Sequence, residues 1–253
     1  MRVAIVGKGG VGKTTIAGTL ARVLARRGRR VLALDLDPNP GLAWTLGIPQ
    51  HDTALGDVIA EHAGGGAPPN AWHLLPDVEI QSAVQRFSVS APDGVTYLSP
   101  GKIFGPDFLD DASAFGVREL VRGLSADWDV VADIDAATAV SCGRHLQFAQ
   151  HLYLVSTPQP AAALTVERLR DLLAGWPLDV IASMSSGDAN GGPRPFARIP
   201  YDAAIKDADR RGVSLLDYYP DCPAVNAIEA LARELVETDE PRTSQQHTHI
   251  GRA

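Results

Sequence analysis

Residues 2–15 read RVAIVGKGGVGKTT, and this stretch decides the fold. The apolar run Val3 to Val6 has the length of a buried strand, and Gly7 ends it. Gly7, Gly12, Lys13 and Thr14 then match G-x-x-x-x-G-K-[ST]. Ile16, Leu20, Val23 and Leu24 continue on one side of a helix that stops at Gly28, a C-terminal cap. Glycines let such a loop curl until successive N–H groups converge on phosphate oxygens, and the helix start adds its positive dipole end. The stretch Gly7, Lys8, Gly9, Gly10, Val11, Gly12, Lys13, Thr14, Thr15 is therefore expected to bind phosphate. Lys13 should reach the β- and γ-phosphates, the Thr14 hydroxyl should ligate Mg²⁺, and Thr15 should reach the α-phosphate. A glycine-rich turn without a ligand is the plain alternative, and the strand before and helix after the match weigh against it.

Outward from this unit, short β-branched runs alternate with longer stretches of helical spacing, as in a parallel sheet covered by helices. Further strands are expected at 31–35, 95–98, 130–133, 152–156, 180–182 and 196–199. Helices are expected near 53–62, 113–124, 141–150, 161–174, 202–211 and 223–237. The predicted architecture is one α/β domain over residues 1–237, with a mostly parallel, twisted sheet of about seven or eight strands and helices on both faces. AGGGAPPN at 63–70 breaks every periodicity and reads as a surface loop. From Thr238 the sequence TDEPRTSQQHTHIGRA has little to bury and is expected to be a disordered tail over 238–253. No internal repeat is present.

Composition narrows the function. A net charge of −7 over 253 residues disfavours binding to nucleic acid through sequence-independent phosphate contacts. Two cysteines, Cys142 and Cys222, are too few for a disulfide framework, which points to a reducing, cytoplasmic setting. No run approaches the roughly 20 apolar residues of a membrane-spanning helix, so no membrane insertion is expected.

Lys8 stands one residue after Gly7, where an ordinary phosphate loop has no need of a cation. The resulting K-G-G-x-G-K-[ST] loop resembles that of the deviant Walker-A ATPases, the group that includes the MinD and ParA positioning proteins. That resemblance implies ATP and Mg²⁺ as ligands and a nucleotide-dependent homodimer. In it Lys8 would reach the partner's phosphates, where positive charge offsets charge developing in phosphoryl transfer. A solvated surface lysine is the plain alternative.

The same resemblance extends to the acids expected at the carboxyl ends of the strands beside the loop. Within RRVLALDLDPNPGLAWTLGI, Asp37 with Pro38 looks like the family's switch I element, whose aspartate serves the attacking water and the metal. Asp35 is nearer the strand and reads as a buried structural acid. In DVVADIDAA, Asp133 looks like the switch II aspartate, linked to Mg²⁺ through water. Ala137 stands where the family carries a glycine whose backbone senses the γ-phosphate, a departure from the pattern. Lys8, Lys13 and Asp37 are thus the expected catalytic residues, and Thr14, Asp37 and Asp133 the expected metal-linked ones. The plain alternative for Asp37 and Asp133 is a pair of strand ends capped by their own loops.

No N-K-x-D occurs, so the common guanine-reading device is missing and ATP is the expected nucleotide. The segment from 197 to 236 is similar to the family's C-terminal signature, which places Pro200, Tyr201 and Asp202 beside the base. The usual adenine-reading asparagine is absent after DVIASM, where Ser185 and Ser186 follow and Asn190 comes late. Cys142 and His145 would share a helix face, and a two-fold axis could duplicate them into a metal site, with His151 nearby. An ordinary helix with a buried cysteine and surface histidines is the plainer reading, and Cys222 reads as structural.

Within the family the stretch from Val6 to Pro49 looks most like the CooC-type maturation ATPases, which implies an unidentified client protein. A MinD-like membrane positioner would need an amphipathic basic C-terminal helix, and a ParA-like partitioner a basic face. A ligase of the dethiobiotin synthetase type shares the fold and loop type, and a nucleotide-binding scaffold with little turnover is a third class.

Overall fold

The computed structural model describes residues 1–37, 39–51, 59–61, 72–74, 77–99, 111–141, 148–185 and 195–239. The first strand, β1 (Arg2–Gly7), leads through the glycine loop into α1 (Lys13–Arg26), followed by β2 (Arg30–Leu36) and the short α2 (Leu42–Leu46). A small antiparallel pair, β3 (Ile59–Glu61) and β4 (Trp72–Leu74), precedes α3 (Ile80–Phe87), β5 (Val89–Ser90) and β6 (Thr96–Leu98). The second half runs α4 (Asp111–Gly123), β7 (Trp128–Asp135), α5 (Ala136–Ser141), β8 (His151–Ser156), α6 (Pro160–Leu172) and β9 (Leu178–Ser185). It closes with β10 (Ala197–Pro200), α7 (Ala203–Arg211), α8 (Leu215–Tyr218) and α9 (Pro223–Asp239).

Eight strands form one sheet in the order β10-β9-β8-β1-β7-β2-β6-β5. All neighbours are parallel except β5, which pairs antiparallel with β6 at the edge. Alternation along β1 splits the core in two. Val3 and Ile5 face Ile16, Leu20 and Leu24 of α1 and Ile228, Leu231 and Leu235 of α9. Ala4 and Val6 face the other layer, with Phe87 of α3, Leu120 and Val121 of α4 and Leu169 of α6. Each large side chain so buried contributes roughly 1.5–3 kcal/mol of transfer free energy, which fixes β1 at the centre of the sheet and its loop at the carboxyl edge. A buried arginine locks the first layer: Arg22 of α1 donates to Asp93 at 2.7 Å, to Ser214 at 2.8 Å and through both terminal nitrogens to Asp217 at 2.6 and 2.8 Å.

Several local expectations are corrected. The helix expected near 53–62 gives way over Ile59–Glu61 to a strand, because Trp72–Leu74 supplies an antiparallel partner that periodicity alone does not show. The helix expected at 141–150 lies earlier, at Ala136–Ser141, where Asp135 accepts the Ala137 N–H at 2.8 Å as the chain leaves β7. Residues 142–147 lie outside the described residues, and 148–150 are not helical. Thr238, expected to open the disordered tail, is instead helical, as is Asp239. The Thr238 hydroxyl donates to the Glu234 and Leu235 carbonyls at 3.0 Å, and the Asp239 carboxylate lies 3.2 Å from Arg29. The loop 63–70 and the rest of the tail lie outside the described residues. Helix α3, unread from sequence, starts on Glu79, whose carboxylate accepts the Gln81 and Ser82 N–H groups at 2.9 and 2.6 Å.

Candidate functional site

The glycine loop sits where β1 ends between β7 and β8. Gly12 caps α1 with φ of 89°, and a Cβ there would lie 3.2 Å from the Ser183 hydroxyl on β9. Val11 is buried and anchors the loop, while Lys8, Gly9 and Gly10 stand exposed. Thr14 and Thr15 are half-buried in the first turn of α1. They open onto a cleft of about 150 Å³ that Gly41, Trp44, Ile205 and Ala208 also line, so α2 and α7 close on the loop from two sides.

Lys13 is 6% exposed, and its ammonium is bound by the Asp37 carboxylate. Burial works against its charge, but Asp133, Asp37 and Asp135 outweigh this and hold its pKa above the ordinary lysine value. The other Asp37 oxygen accepts the Asn39 N–H at 2.8 Å. Lys8, in contrast, is exposed and makes no ion pair among the described residues.

Asp133 lies near the end of β7 with no solvent exposure, and neither carboxylate oxygen has a hydrogen-bond partner among the described residues. Burial pushes its pKa up to about 7; the Lys13 charge and the nearby Thr14 hydroxyl act the other way, and Asp35 and Asp37 add to the rise. Asp35 is pushed up to about 6 by burial, against the N–H groups of Leu42 and Asp37 that bond it. A buried carboxylate with two free oxygens, beside a hydroxyl and a second acid, fits a hydrated divalent cation. Mg²⁺ keeps waters and substrate phosphates among its ligands and needs few from protein. Among the described residues no group of three or more His, Cys, Asp or Glu could hold a metal by itself. Asp37, Asp133 and Asp135 surround the Lys13 ammonium, and the Thr14 hydroxyl lies beside Asp133.

Pro200 ends β10, and Tyr201 beyond it is 54% exposed with the Lys206 ammonium 5.2 Å from its ring centre. Asp202 has another duty. Its two oxygens accept the Ala204 N–H at 2.9 Å and the Ala224 N–H at 3.2 Å, so it caps both α7 and α9. These amides hold its pKa below the usual carboxylate range in spite of partial burial. Cys142 and His145 lie outside the described residues. His151 bonds Asp179 at 3.0 Å and stacks on Tyr153, while Cys222 is half-buried. The backbone N–H of Ala137 is taken by Asp135.

Three site neighbours escaped the sequence reading. Asp135 lies two residues beyond Asp133 and therefore on the same face of β7, a signal the alternation carried. Ser183 and Tyr97 reach the site only through strand pairing, which left no local mark.

A glycine loop between a central parallel strand and its helix, with acids ending the adjacent strands, defines a P-loop nucleotide-binding protein. The chain belongs to one such family: the model of the CobQ/CobB/MinD/ParA nucleotide binding domain matches residues 3–216. It is 27% identical over 243 residues to the carbon monoxide dehydrogenase accessory protein CooC of Rhodospirillum rubrum, a match over 88% of this chain and 92% of that protein. An uncharacterised ATP-binding protein of Methanocaldococcus jannaschii is 39% identical over 93% of this chain and 98% of its own length. Among solved structures, the cell division ATPase MinD of Pyrococcus furiosus superposes with a TM-score of 0.70 at 22% identity, covering 94% of this chain and 98% of that one. MinD of Pyrococcus horikoshii, in complex with Mg-ADP, gives 0.67 at 21% identity over 94% of this chain and 96% of that one. Among the described residues no helix is long and apolar enough to cross a membrane.

Proposed function

We propose that this chain is an ATP-hydrolysing switch that dimerises around nucleotide and serves, like the CooC accessory protein it resembles, as an accessory factor for a client protein. The observation that carries the reading is the contrast between the two loop lysines. Lys13 is buried and paired with Asp37, whereas Lys8 is exposed beside it without an ion pair among the described residues.

Binding of ATP gives Lys13 a stronger set of anionic partners, so its ammonium turns to the β- and γ-phosphates and Asp37 is released. The freed Asp37 then orients the attacking water and accepts its proton. Thr14, Asp37 and Asp133 would hold Mg²⁺, Asp133 through a water. An ion held there would supply positive charge against the phosphate oxygens. Lys8 stands free to cross a two-fold axis and place its charge on the partner's nucleotide, where it offsets charge in the transition state. Pro200, Tyr201 and Asp202 border the base, with the Tyr201 ring as the exposed surface and Asp202 acting through its caps. A cytoplasmic setting agrees with the two-cysteine composition.

Sedimentation velocity of wild type, Lys8→Ala and Lys13→Ala with ADP, ATP and a non-hydrolysable ATP analogue tests this, alongside calorimetric binding and phosphate release. Wild type should dimerise with ATP, Lys8→Ala should bind nucleotide but stay monomeric, and Lys13→Ala should lose binding or turnover. A wild type that is monomeric in every nucleotide state, or a Lys8→Ala protein that dimerises and hydrolyses normally, overturns the cross-subunit role. Unchanged affinity and turnover in Lys13→Ala overturn the phosphate-loop assignment.

A further inference from the structure

Tyr97 lies in the middle of β6 with no solvent exposure, and its hydroxyl stands 3.4 Å from Asp35 Oδ2. A buried phenol needs a polar partner, and this partner holds something else as well. Asp35 Oδ1 accepts the Asp37 N–H at 3.3 Å, and Oδ2 accepts the Leu42 N–H at 3.0 Å. Both ends of segment 37–42 therefore hang on one carboxylate. One end carries Asp37. The other is the first residue of α2, whose N-cap is Gly41, a residue with no side chain to accept the free N–H groups of the helix start. Asp35 takes the place of that missing cap, and it sits on β2 directly beside β6.

A carboxylate can only accept hydrogen bonds, so the Tyr97 O–H donates to it, while Ser99 and Gln50 share the phenol oxygen. The phenol thus braces Asp35 from β6, the strand on the far side of β2 from β7. We propose that Tyr97 is a positioning residue for hydrolysis: by fixing the Asp35 carboxylate it sets the register of segment 37–42 and so the placement of Asp37. This inference rests on the ATPase reading above, and Tyr97 itself touches no reacting atom. The 3.4 Å contact is long for O–H···O, so its loss costs the fold little.

The test compares Tyr97→Phe with wild type by steady-state phosphate release with ATP and Mg²⁺, calorimetric affinity for a non-hydrolysable ATP analogue, and thermal unfolding. The expected result is a kcat lowered by about tenfold to a hundredfold, the cost of a slightly misplaced reacting group. KM, analogue affinity and melting temperature should be nearly unchanged. Asp35→Asn should lower kcat as well, and the double variant should lose no more than the worse single one, since both act through one segment. Wild-type turnover with equal turnover in Tyr97→Phe overturns the Tyr97 role alone. A fall in kcat matched by equal losses of affinity and melting temperature overturns it too, since that marks a purely structural group. A wild type that does not hydrolyse ATP overturns the ATPase reading and this inference with it.

Discussion

Asp35 and Asp133 are direct register partners on β2 and β7, and both carboxylates face the layer that holds the glycine loop. Burial raises the pKa of both acids, to about 6 for Asp35 and about 7 for Asp133, and the neighbouring Asp35 charge adds to the rise at Asp133. The fold therefore gathers two buried acids beside the Lys13 ammonium.

This makes stability depend on pH in a fixed direction. An Asp133 pKa raised in the folded state means that the native chain holds a proton the unfolded chain has lost between about pH 4 and pH 7. Stability contributed by the protonated form is present below that window and lost as pH rises through it, at about 1.4 kcal/mol per pH unit. Asp133→Asn should remove this loss and melt higher than wild type at pH 8 without Mg²⁺. With ATP analogue and Mg²⁺ the order should reverse, because the variant loses the ion. A variant that melts lower than wild type at pH 8 without ligand contradicts this account.

The Lys13–Asp37 pair implies competition between the carboxylate and the nucleotide. Asp37→Asn should free the ammonium and raise ADP affinity without Mg²⁺ by about threefold to tenfold, on the order of 1 kcal/mol. Turnover of ATP should fall by about a hundredfold or more, as for loss of a water-positioning base. Calorimetry and phosphate release check the two halves independently. Weaker ADP binding in the variant would refute the competition.

Gly18 lets α1 touch α2. A Cβ there would lie 2.0 Å from the Thr45 hydroxyl, which is itself bonded to the Leu42 carbonyl at 2.8 Å. Gly18→Val must push α2 away and should cost about 1–3 kcal/mol, the usual range for overpacking. Because α2 begins at the end of segment 37–42, kcat should fall in the same variant. A urea melt and a turnover assay measure both, and a variant as stable as wild type shows that α2 docks elsewhere.

Arg22 is 2% exposed, while its partners Asp93 and Asp217 are 20% and 39% exposed. Arg22→Met keeps the stem's packing and strands no cation, but it removes the arginine from the Ser214 hydroxyl and leaves Asp93 and Asp217 with only the half-exposed Arg26 as cationic partner. The acids can regain water, so the cost should fall at or below the low end for a broken buried pair, about 2–3 kcal/mol. A urea midpoint unchanged from wild type would show that the cluster adds nothing to the fold.

Local sequence was enough for β1, the glycine loop and α1, since Gly7, Gly12, Lys13 and Thr14 mark a strand, a turn and a helix start by residue type alone. It was also enough for the parallel α/β class, because strands buried on both faces read as continuous apolar runs between helical periods. Asp37 and Asp133 were legible as strand-end acids. What no local pattern carried is that Asp133 would be wholly buried with both oxygens unpartnered, that Lys13 would lean on Asp37, or that Asp202 would cap two helices. Tyr97 reads in sequence as one more strand aromatic. It becomes the brace of Asp35 only because β6 pairs beside β2, 62 residues apart along the chain. Residue type and period act over a few neighbours and so determine elements. Burial, charge coupling and strand register depend on which distant segments share an edge, and only the folded sheet decides that.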